Sequence, residues 1–547
     1  MKQLICIITI VTGLLSFRAG AQEQIHLFPD RTFCVSGDTV WFSAVISGNG
    51  TDNTNNIIHI QLDDLRSNHI TKVSVASDKN SGSGYLLVPD SLSTGIYALK
   101  AFSNVQKKNP SAVFFTRLLV VYNRFDENIS EFNIPDIDLP EKNSDEGISI
   151  AATPHSGKSK TVEVDVNVEK SLRSEALEMI VTARLFDPFA DQFTKAIESR
   201  PDPSMQNAYM PVRENNGILI SGRIVQNQTE TPVKNTPVFL SIADTLPYFD
   251  YCVSDEQGRF YFYVRNAVGK GDIVIQEVSK QARENRIELL GNYIETEGIS
   301  TTRQILTLAQ NTFASDLVKA AYFSRIYKGY RSLPADSFSI SKDFQYPFYG
   351  PPTFTFYPEL FIDLPNFQEI SREILNGVQY REKKDEVSIR LLNRGNRSIF
   401  NSEPLKLMDG IPIFDPKLLS KLNTQTIEKI DAVYFKRYFG DISFDGVLAV
   451  YSKNPTLGWV ESVPELNIFK YTFIQPALTP TLHNQSPQSK NIPDFRTVFY
   501  REHRTELADP INFRFERSDI KGDFLIEVIA VCKDKRIVKT RKVIHLD

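Results

Sequence analysis

The chain has 547 residues, 62 Lys and Arg against 66 Asp and Glu, a formal net charge of −4, and 41% hydrophobic and 11% aromatic residues. At roughly 100–200 residues per domain this length predicts about three to five domains, and the apolar fraction excludes wholesale disorder. A near-neutral charge without a lysine-arginine block argues against a nucleic-acid binder.

Lys2, the apolar stretch Leu4–Leu15 and Ala19-Gly20-Ala21 have the charged start, apolar middle and small-residue cleavage site of an export signal. Residues 1–21 are therefore expected to be removed, leaving Gln22 first. The stretch is shorter than the roughly 20 residues a membrane-spanning helix needs, and no comparable run follows. The expectation is an exported protein without a transmembrane span of its own. Cys6 lies inside the apolar stretch, which argues against a lipid anchor. Cys34, Cys252 and Cys532 are too scattered for a disulfide framework and read as buried small residues. One long-range disulfide stays open in an oxidising compartment.

Residues 22–124 read as strands and turns. Ile58, Ile60 and Leu62 alternate with His59 and Gln61, the period of a half-buried strand. Residues 125–147 are acidic, carry Pro135 and Pro140, and read as a linker. A second β region, 148–216, opens on Val162, Val164, Val166 and Val168, alternating with Glu163, Asp165, Asn167 and Glu169. Residues 217–278 form a third β unit, with Phe260, Phe262 and Val264 on one face and a turn at Asp255–Gly258. The connector 279–345 is partly helical, with a helix expected within Gln304–Ala321. Phe367, Ile370, Ile374 and Val378 stand at helical spacing. Asp409-Gly410 is a tight-turn pair between apolar strands. Leu418, Leu419 and Leu422 suit one face of a short helix, and Val433 and Phe435 alternate as a strand. Residues 346–453 thus read as a small α+β unit. Residues 454–547 return to strand patterns, with Phe524, Ile526, Val528, Ala530 and Cys532 sharing a core-facing side.

Three groups of residues resemble known envelope modules. Asp30-Arg31-Thr32-Phe33 followed by Ser36-Gly37-Asp38-Thr39-Val40-Trp41-Phe42 resembles the opening of a macroglobulin-type β-sandwich. Gly222-Arg223-Ile224-Val225, Thr236-Pro237-Val238 and Asp255-Glu256-Gln257-Gly258-Arg259-Phe260 resemble a carboxypeptidase-regulatory-like β-sandwich, a module that is usually non-catalytic. Pro404 to Ile413, Ile427 to Val433, Tyr438-Phe439-Gly440 and Asp445-Gly446-Val447 resemble the plug domain of TonB-dependent outer-membrane receptors. Pro493-Asp494-Phe495-Arg496 and Ser518-Asp519 are similar to the C-terminal β domain of a group of exported Gram-negative envelope proteins with that module order. A receptor barrel of about 22 strands, each about 9–11 residues long, does not fit into residues 454–547. The plug-like unit is therefore expected without a barrel in this stretch. The macroglobulin likeness comes without the Cys-Gly-Glu-Gln thioester motif, so it implies a scaffold.

Ala152 to Ser159 fits a relaxed phosphate-loop pattern, but Lys158 leads into the alternating valines instead of a helix. A hairpin turn is expected there. The histidines His26, His59, His69, His155, His483, His503 and His545 form no metal-ligand motif. No Gly-x-Ser-x-Gly elbow occurs. The mixed charge run Arg381–Glu386 reads as a solvated turn. The expected fold is mainly β and multidomain, with tandem β-sandwiches and a small α+β plug-like domain. The expected function is a non-enzymatic scaffold or binding protein of the cell envelope, periplasmic or associated with the outer membrane, without cofactor or metal. Its partner would be another envelope or outer-membrane protein, met through Tyr346, Phe348, Tyr349, Phe354, Phe356, Tyr357, Tyr438 and Phe439, because aromatics supply contact energy in interfaces. The packed alternative for these aromatics is a strand closing over the core. The competing functions are a hydrolase or peptidase with a dispersed site, and a glycan- or peptide-binding accessory of an uptake system.

Overall fold

The computed structural model describes residues 24–47, 57–126 without 79, 108 and 110, 131–137, 147–154, 160–201, 214–326 without 216, 244–246 and 280–281, 338–340, 346–454 without 362, 384–385 and 421, 463, 466–476, 493–505 and 511–545 without 535. The export signal and the Lys158 loop lie outside them. The architecture is mainly β and divides into two units. One comprises residues 1–216, 293–336 and 474–547; the other comprises 217–292 and 337–473.

The first unit holds two sandwiches. In the first, the sheet Gln24–Pro29, Thr39–Ser47 and Ser81–Leu87 faces a larger sheet built on Phe114–Tyr122, Gly95–Phe102, Ile57–Asp64 and His69–Ala76. Leu27, Phe42, Ile60, Leu62 and Leu99 fill the space between them. The Asp30-Arg31 pair shapes its opening. The Arg31 guanidinium grips Asp30 through Nε and Nη2 at 3.1 and 3.0 Å, while Asp30 accepts the Trp41 amide at 3.2 Å. Gly37, at φ +81°, makes the following turn, a conformation that L side chains rarely adopt.

The second sandwich begins with Ile148–Pro154 and Thr161–Val168, which pair antiparallel as the expected hairpin. Val162, Val164, Val166 and Val168 face inward and Glu163, Asp165 and Asn167 face water. Ala176–Leu185 follows in the chain, but the other strands come from far away. Ile511–Glu516 pairs with Thr161–Val168, and Val498–Arg504 and Phe524–Cys532 flank Ala176–Leu185. The expected independent C-terminal domain, 454–547, is corrected accordingly: its later strands complete a sandwich begun more than 300 residues earlier. Backbone pairing can select a distant strand at no cost beyond loop closure, which grows slowly with length. Phe524–Cys532 is central in its sheet and buried on both faces. The expected linker 125–147 also contains a strand, Glu131–Pro135, which pairs with Thr301–Ile305. The connector helix runs Leu308–Ile326, extending beyond its expected end.

In the second unit, Gly217–Gln226 is flanked by Arg259–Arg265 and Asn285–Leu290. A second sheet orders Tyr248–Val253, Pro237–Ile242, Lys270–Glu277 and Leu466–Thr472. The last of these strands again comes from the segment expected to be a separate domain. The hairpin turn at Asp255 is tied by its carboxylate, which accepts the Gln257 and Arg259 amides at 2.9 and 2.8 Å. Residues 346–453 form an α+β lobe. Its five-stranded sheet orders Phe354–Phe356, Ile427–Val433, Val447–Ser452, Leu405–Met408 and Ile411–Pro412. The helix Phe367–Glu373 starts at Asn366, whose side chain accepts the Glu369 amide. That helix buries Phe367 and Ile370, and Lys417–Ser420 buries Leu419 against the same core. Asp409 and Gly410, at φ +51° and +84°, form the expected turn.

Candidate functional site

The eight aromatic residues of the expected partner surface do not share one environment. Tyr438 is 70% exposed and Tyr346 54% exposed, and Phe354 and Tyr357 are also exposed. Tyr349 is 1% exposed, so it is withdrawn from the surface. Its hydroxyl donates to Asp431 at 2.9 Å and lies 2.7 Å from the Tyr451 hydroxyl. Burial, reinforced by these neighbours, pushes the Tyr349 hydroxyl far above its ordinary value. Phe348, Phe356 and Phe439 are partly buried and pack on the lobe's cores. Phe348 stacks on Phe249 at 4.5 Å and lies 5.6 Å from Phe439. The aromatic segment therefore combines both sequence readings. Its inward members close the core and its outward members remain in water.

The outward members lie close together in the chain. Tyr346, Phe354, Tyr357, Leu360 and Phe361 are all exposed within residues 346–361. The Arg394 guanidinium sits 4.4 Å from the Phe354 ring centroid, the distance of a cation–π contact. Phe354–Phe356 is an edge strand, paired only with Ile427–Val433 among the described residues.

The hydrolase reading calls for a nucleophile, a base and access. Among the described residues the first unit holds two Ser-His-Glu chains. In one, His59 Nδ1 lies 2.8 Å from Ser74 Oγ and Nε2 lies 2.6 Å from Glu214 Oε2. Burial holds His59 below its ordinary value, against the opposing pull of Glu214. Ser74, His59 and Glu214 are all buried. A substrate cannot reach that serine without opening the sandwich, so this set is structural. In the other, His503 bridges Ser83 and Glu178. Neither set lines the cleft of about 330 Å³ that lies beside Arg31, Leu317, Arg325 and Arg496. In that cleft Arg31 pairs with Asp30, Arg325 with Asp90 and Arg496 with Asp494. Burial raises the Cys34 thiol well above its ordinary range, the opposite of an activated thiolate. The Pro493–Arg496 and Ser518-Asp519 motifs act together as a staple, with reciprocal 2.7 Å hydrogen bonds between Asp494 and Asp519.

One arrangement escaped the sequence reading. Ile57–Asp64 looks half-buried by its alternation, yet His59, Gln61 and Asp63 are all buried. The segment from Tyr293 covers this polar face. Gln61 exchanges two hydrogen bonds with the Ile294 backbone, at 2.9 and 3.0 Å. Lys100 bridges Asp63 at 2.6 Å and Thr296 at 2.8 Å. His69 lies between Asp63 at 3.0 Å and Glu295 at 2.8 Å and stacks on Tyr293. With a carboxylate at each ring nitrogen, both nitrogens donate, which favours the imidazolium. The hydrogen bond to Asp63 leads the rise of His69 above its ordinary value. The local signal was a polar face carrying unusually many groups able to pair, but the covering segment lies more than 200 residues away. Among the described residues no cluster of His, Cys, Asp and Glu could hold a metal ion, and Cys34, Cys252 and Cys532 are free thiols. Among the described residues no helix is long and apolar enough to cross a membrane.

No protein-family model and no curated protein matches the chain. Among solved structures, the trypsin-activated alpha-2-macroglobulin of Escherichia coli is similar at 8% identity and a TM-score of 0.23, over 96% of this chain and 41% of that one. The native conformation of the E. coli protein gives 8% and 0.22 over 97% and 40%. The Salmonella alpha-2-macroglobulin reacted with methylamine gives 7% and 0.21 over 96% and 40%. The chain spans about two fifths of the length of these structures. At such scores the superpositions carry no argument about fold or function.

Proposed function

We propose that this chain is an exported, non-enzymatic binding protein of the bacterial cell envelope, docking another envelope or outer-membrane protein through its α+β lobe. The supporting observation is the run of exposed apolar side chains at Tyr346, Phe354, Tyr357, Leu360 and Phe361. Burying such groups against a partner removes apolar surface from water, and aromatic anchors dominate interface energetics. The macroglobulin-like reading of 22–124, the carboxypeptidase-regulatory-like reading of 217–278 and the plug-like reading of 346–453 belong to the same proposal. So does a location in the periplasm or at the outer membrane, after removal of residues 1–21. Reaction chemistry has no place in this reading, and neither a cofactor nor a metal is invoked.

The test is capture of partners from envelope membranes by the full chain, with mass spectrometry and N-terminal sequencing of the mature protein. The wild type should begin at Gln22 and capture a defined membrane protein. Tyr357→Ser with Phe361→Ser should lose that protein while melting at an unchanged temperature. Retention of Met1, or identical capture by the double variant, would overturn the proposal.

A further inference from the structure

The charge run Arg381–Glu386 reads from sequence as a solvated turn, but most of it belongs to a sheet. Val378–Lys383 pairs antiparallel with Glu386–Asn393, which pairs with Ser398–Ile399. Register then sorts the side chains. Val378 faces Leu391 and Tyr380 faces Ile389 on the core side. Gln379 lies opposite Arg390, Arg381 opposite Ser388, and Lys383 opposite Glu386 on the other side. Leu392 and Ile399 continue that outer face. Arg381, Lys383 and Arg390 are exposed, and none has an acidic partner among the described residues. Arg381 and Arg390 are diagonal neighbours across the two strands, a spacing of about 7–8 Å. Exposed Arg397 stands in the turn that follows, whereas Arg394 turns its guanidinium to the Phe354 ring. Among the described residues Glu386 is the one acid on this outer face, in a chain whose net charge is −4. Glu382 belongs to the opposite face, where it accepts the Tyr380 hydroxyl at 3.3 Å. Val378–Lys383 is also an edge: no further strand pairs with it among the described residues.

We propose that this face and edge form a docking surface for an acidic, extended peptide segment of a partner protein, which adds a strand beside Val378–Lys383. The proposal rests on the reading of the chain as a binding protein and specifies the partner's chemistry. Strand addition satisfies main-chain groups that an edge leaves open. Acidic residues at alternate positions of the added strand would meet Gln379, Arg381 and Lys383, because side chains repeat every second residue. Guanidinium groups pair with carboxylates through two parallel hydrogen bonds, a geometry that selects acids over neutral side chains. An anionic membrane surface fits less well. Among the described residues Ile399 is the one exposed large hydrophobic residue on this face, too little for insertion among acyl chains.

The test uses the full chain and fluorescein-labelled peptides of about eight residues, the length of a typical strand. One alternates Thr and Glu, a second Thr and Gln, a third Thr and Lys. The Glu peptide should bind about tenfold tighter than the Gln peptide at low salt and lose that margin as ionic strength rises. Hydrogen exchange should slow over residues 378–383 on binding. Arg381→Glu with Arg390→Glu should reverse the preference toward the Lys peptide, an outcome that misfolding cannot mimic. Equal binding of Glu and Gln peptides would overturn the inference, as would an unchanged preference after charge reversal. Binding of phosphatidylglycerol vesicles with no binding of the Glu peptide would overturn it too. Capture of a membrane partner through the aromatic residues, together with failure of the Glu peptide, would leave the proposed function standing and remove only this surface.

Discussion

Replacing Gly410 with alanine isolates one backbone position on which the α+β lobe depends. Gly410 has φ +84° and follows Asp409 at φ +51°. The turn is held from both sides. The Asp409 amide donates to the Val450 carbonyl at 2.9 Å, and the Asp409 carboxylate accepts the Ser452 amide and hydroxyl at 2.7 and 2.8 Å. A left-handed backbone costs an alanine about 1–2 kcal/mol. Space adds a second cost. A β-carbon on Gly410 would lie 2.6 Å from Pro247 Cγ and closer still to Pro247 Cβ. A proline ring cannot swing aside as a long side chain does, so the turn must shift at an overpacking cost of about 1–3 kcal/mol. The sum is about 2–5 kcal/mol. For a unit of this size each kcal/mol lowers the melting temperature by about 2–4 °C, which gives a drop of roughly 4–20 °C. Calorimetry of the full chain should show the transition of the second unit moving while that of the first stays in place. Pro247→Gly, combined with Gly410→Ala, should recover about 1–3 kcal/mol relative to additivity. A melting temperature within about 2 °C of wild type, or strict additivity in the cycle, would show that neither the left-handed backbone nor Pro247 constrains this turn.

Three further outcomes are expected. His69 and His59 should respond to pH with opposite signs. His69 is raised chiefly by its hydrogen bond to Asp63, so the stability it contributes is complete below its ordinary value of 6.5 and is lost as pH rises through the elevated folded value. His59 is lowered by burial, so its contribution is present above 6.5 and is lost as pH falls toward the depressed folded value. Denaturant melts of His69→Asn and His59→Asn between pH 5 and 9 should therefore differ from wild type with opposite slopes; parallel slopes would contradict the assigned charge states. Tyr349→Phe should cost about 1–2 kcal/mol by leaving Asp431 and Tyr451 short of a partner, without altering partner capture, whereas Tyr438→Ser should leave the melting temperature unchanged; a stable Tyr349→Phe protein would remove the buried network from the account. Lys158→Ala should change neither melting temperature nor nucleotide affinity, because Ile148–Pro154 and Thr161–Val168 are paired strands on either side of it. Micromolar ATP binding that this substitution abolishes, measured by titration calorimetry, would contradict that reading.

Features that depend on near neighbours in the chain were legible in the residues themselves. Alternation placed Val162, Val164, Val166 and Val168 in the core, because successive strand residues point to opposite faces. Asp409-Gly410 announced its turn, since the left-handed region is open chiefly to glycine and to short polar residues. Helical spacing located Phe367 and Ile370 on a buried face. Which strands meet was set by long-range pairing. Ile511–Glu516 joins Thr161–Val168, and Leu466–Thr472 joins Lys270–Glu277. Nothing in either segment names its partner, because ladder hydrogen bonds use the backbone that every residue shares. For the same reason burial was misread wherever a distant element covers a face. The polar side of Ile57–Asp64 is closed by residues from Tyr293 onward, and Tyr349 turns inward to Asp431 while Tyr346 and Tyr357 stay in water. The charge run at Arg381 became a surface only when strand register set Arg381, Lys383 and Arg390 on one face and Glu382 on the other. A side chain's periodicity is a local property, whereas its exposure depends on what folds over it from elsewhere in the chain.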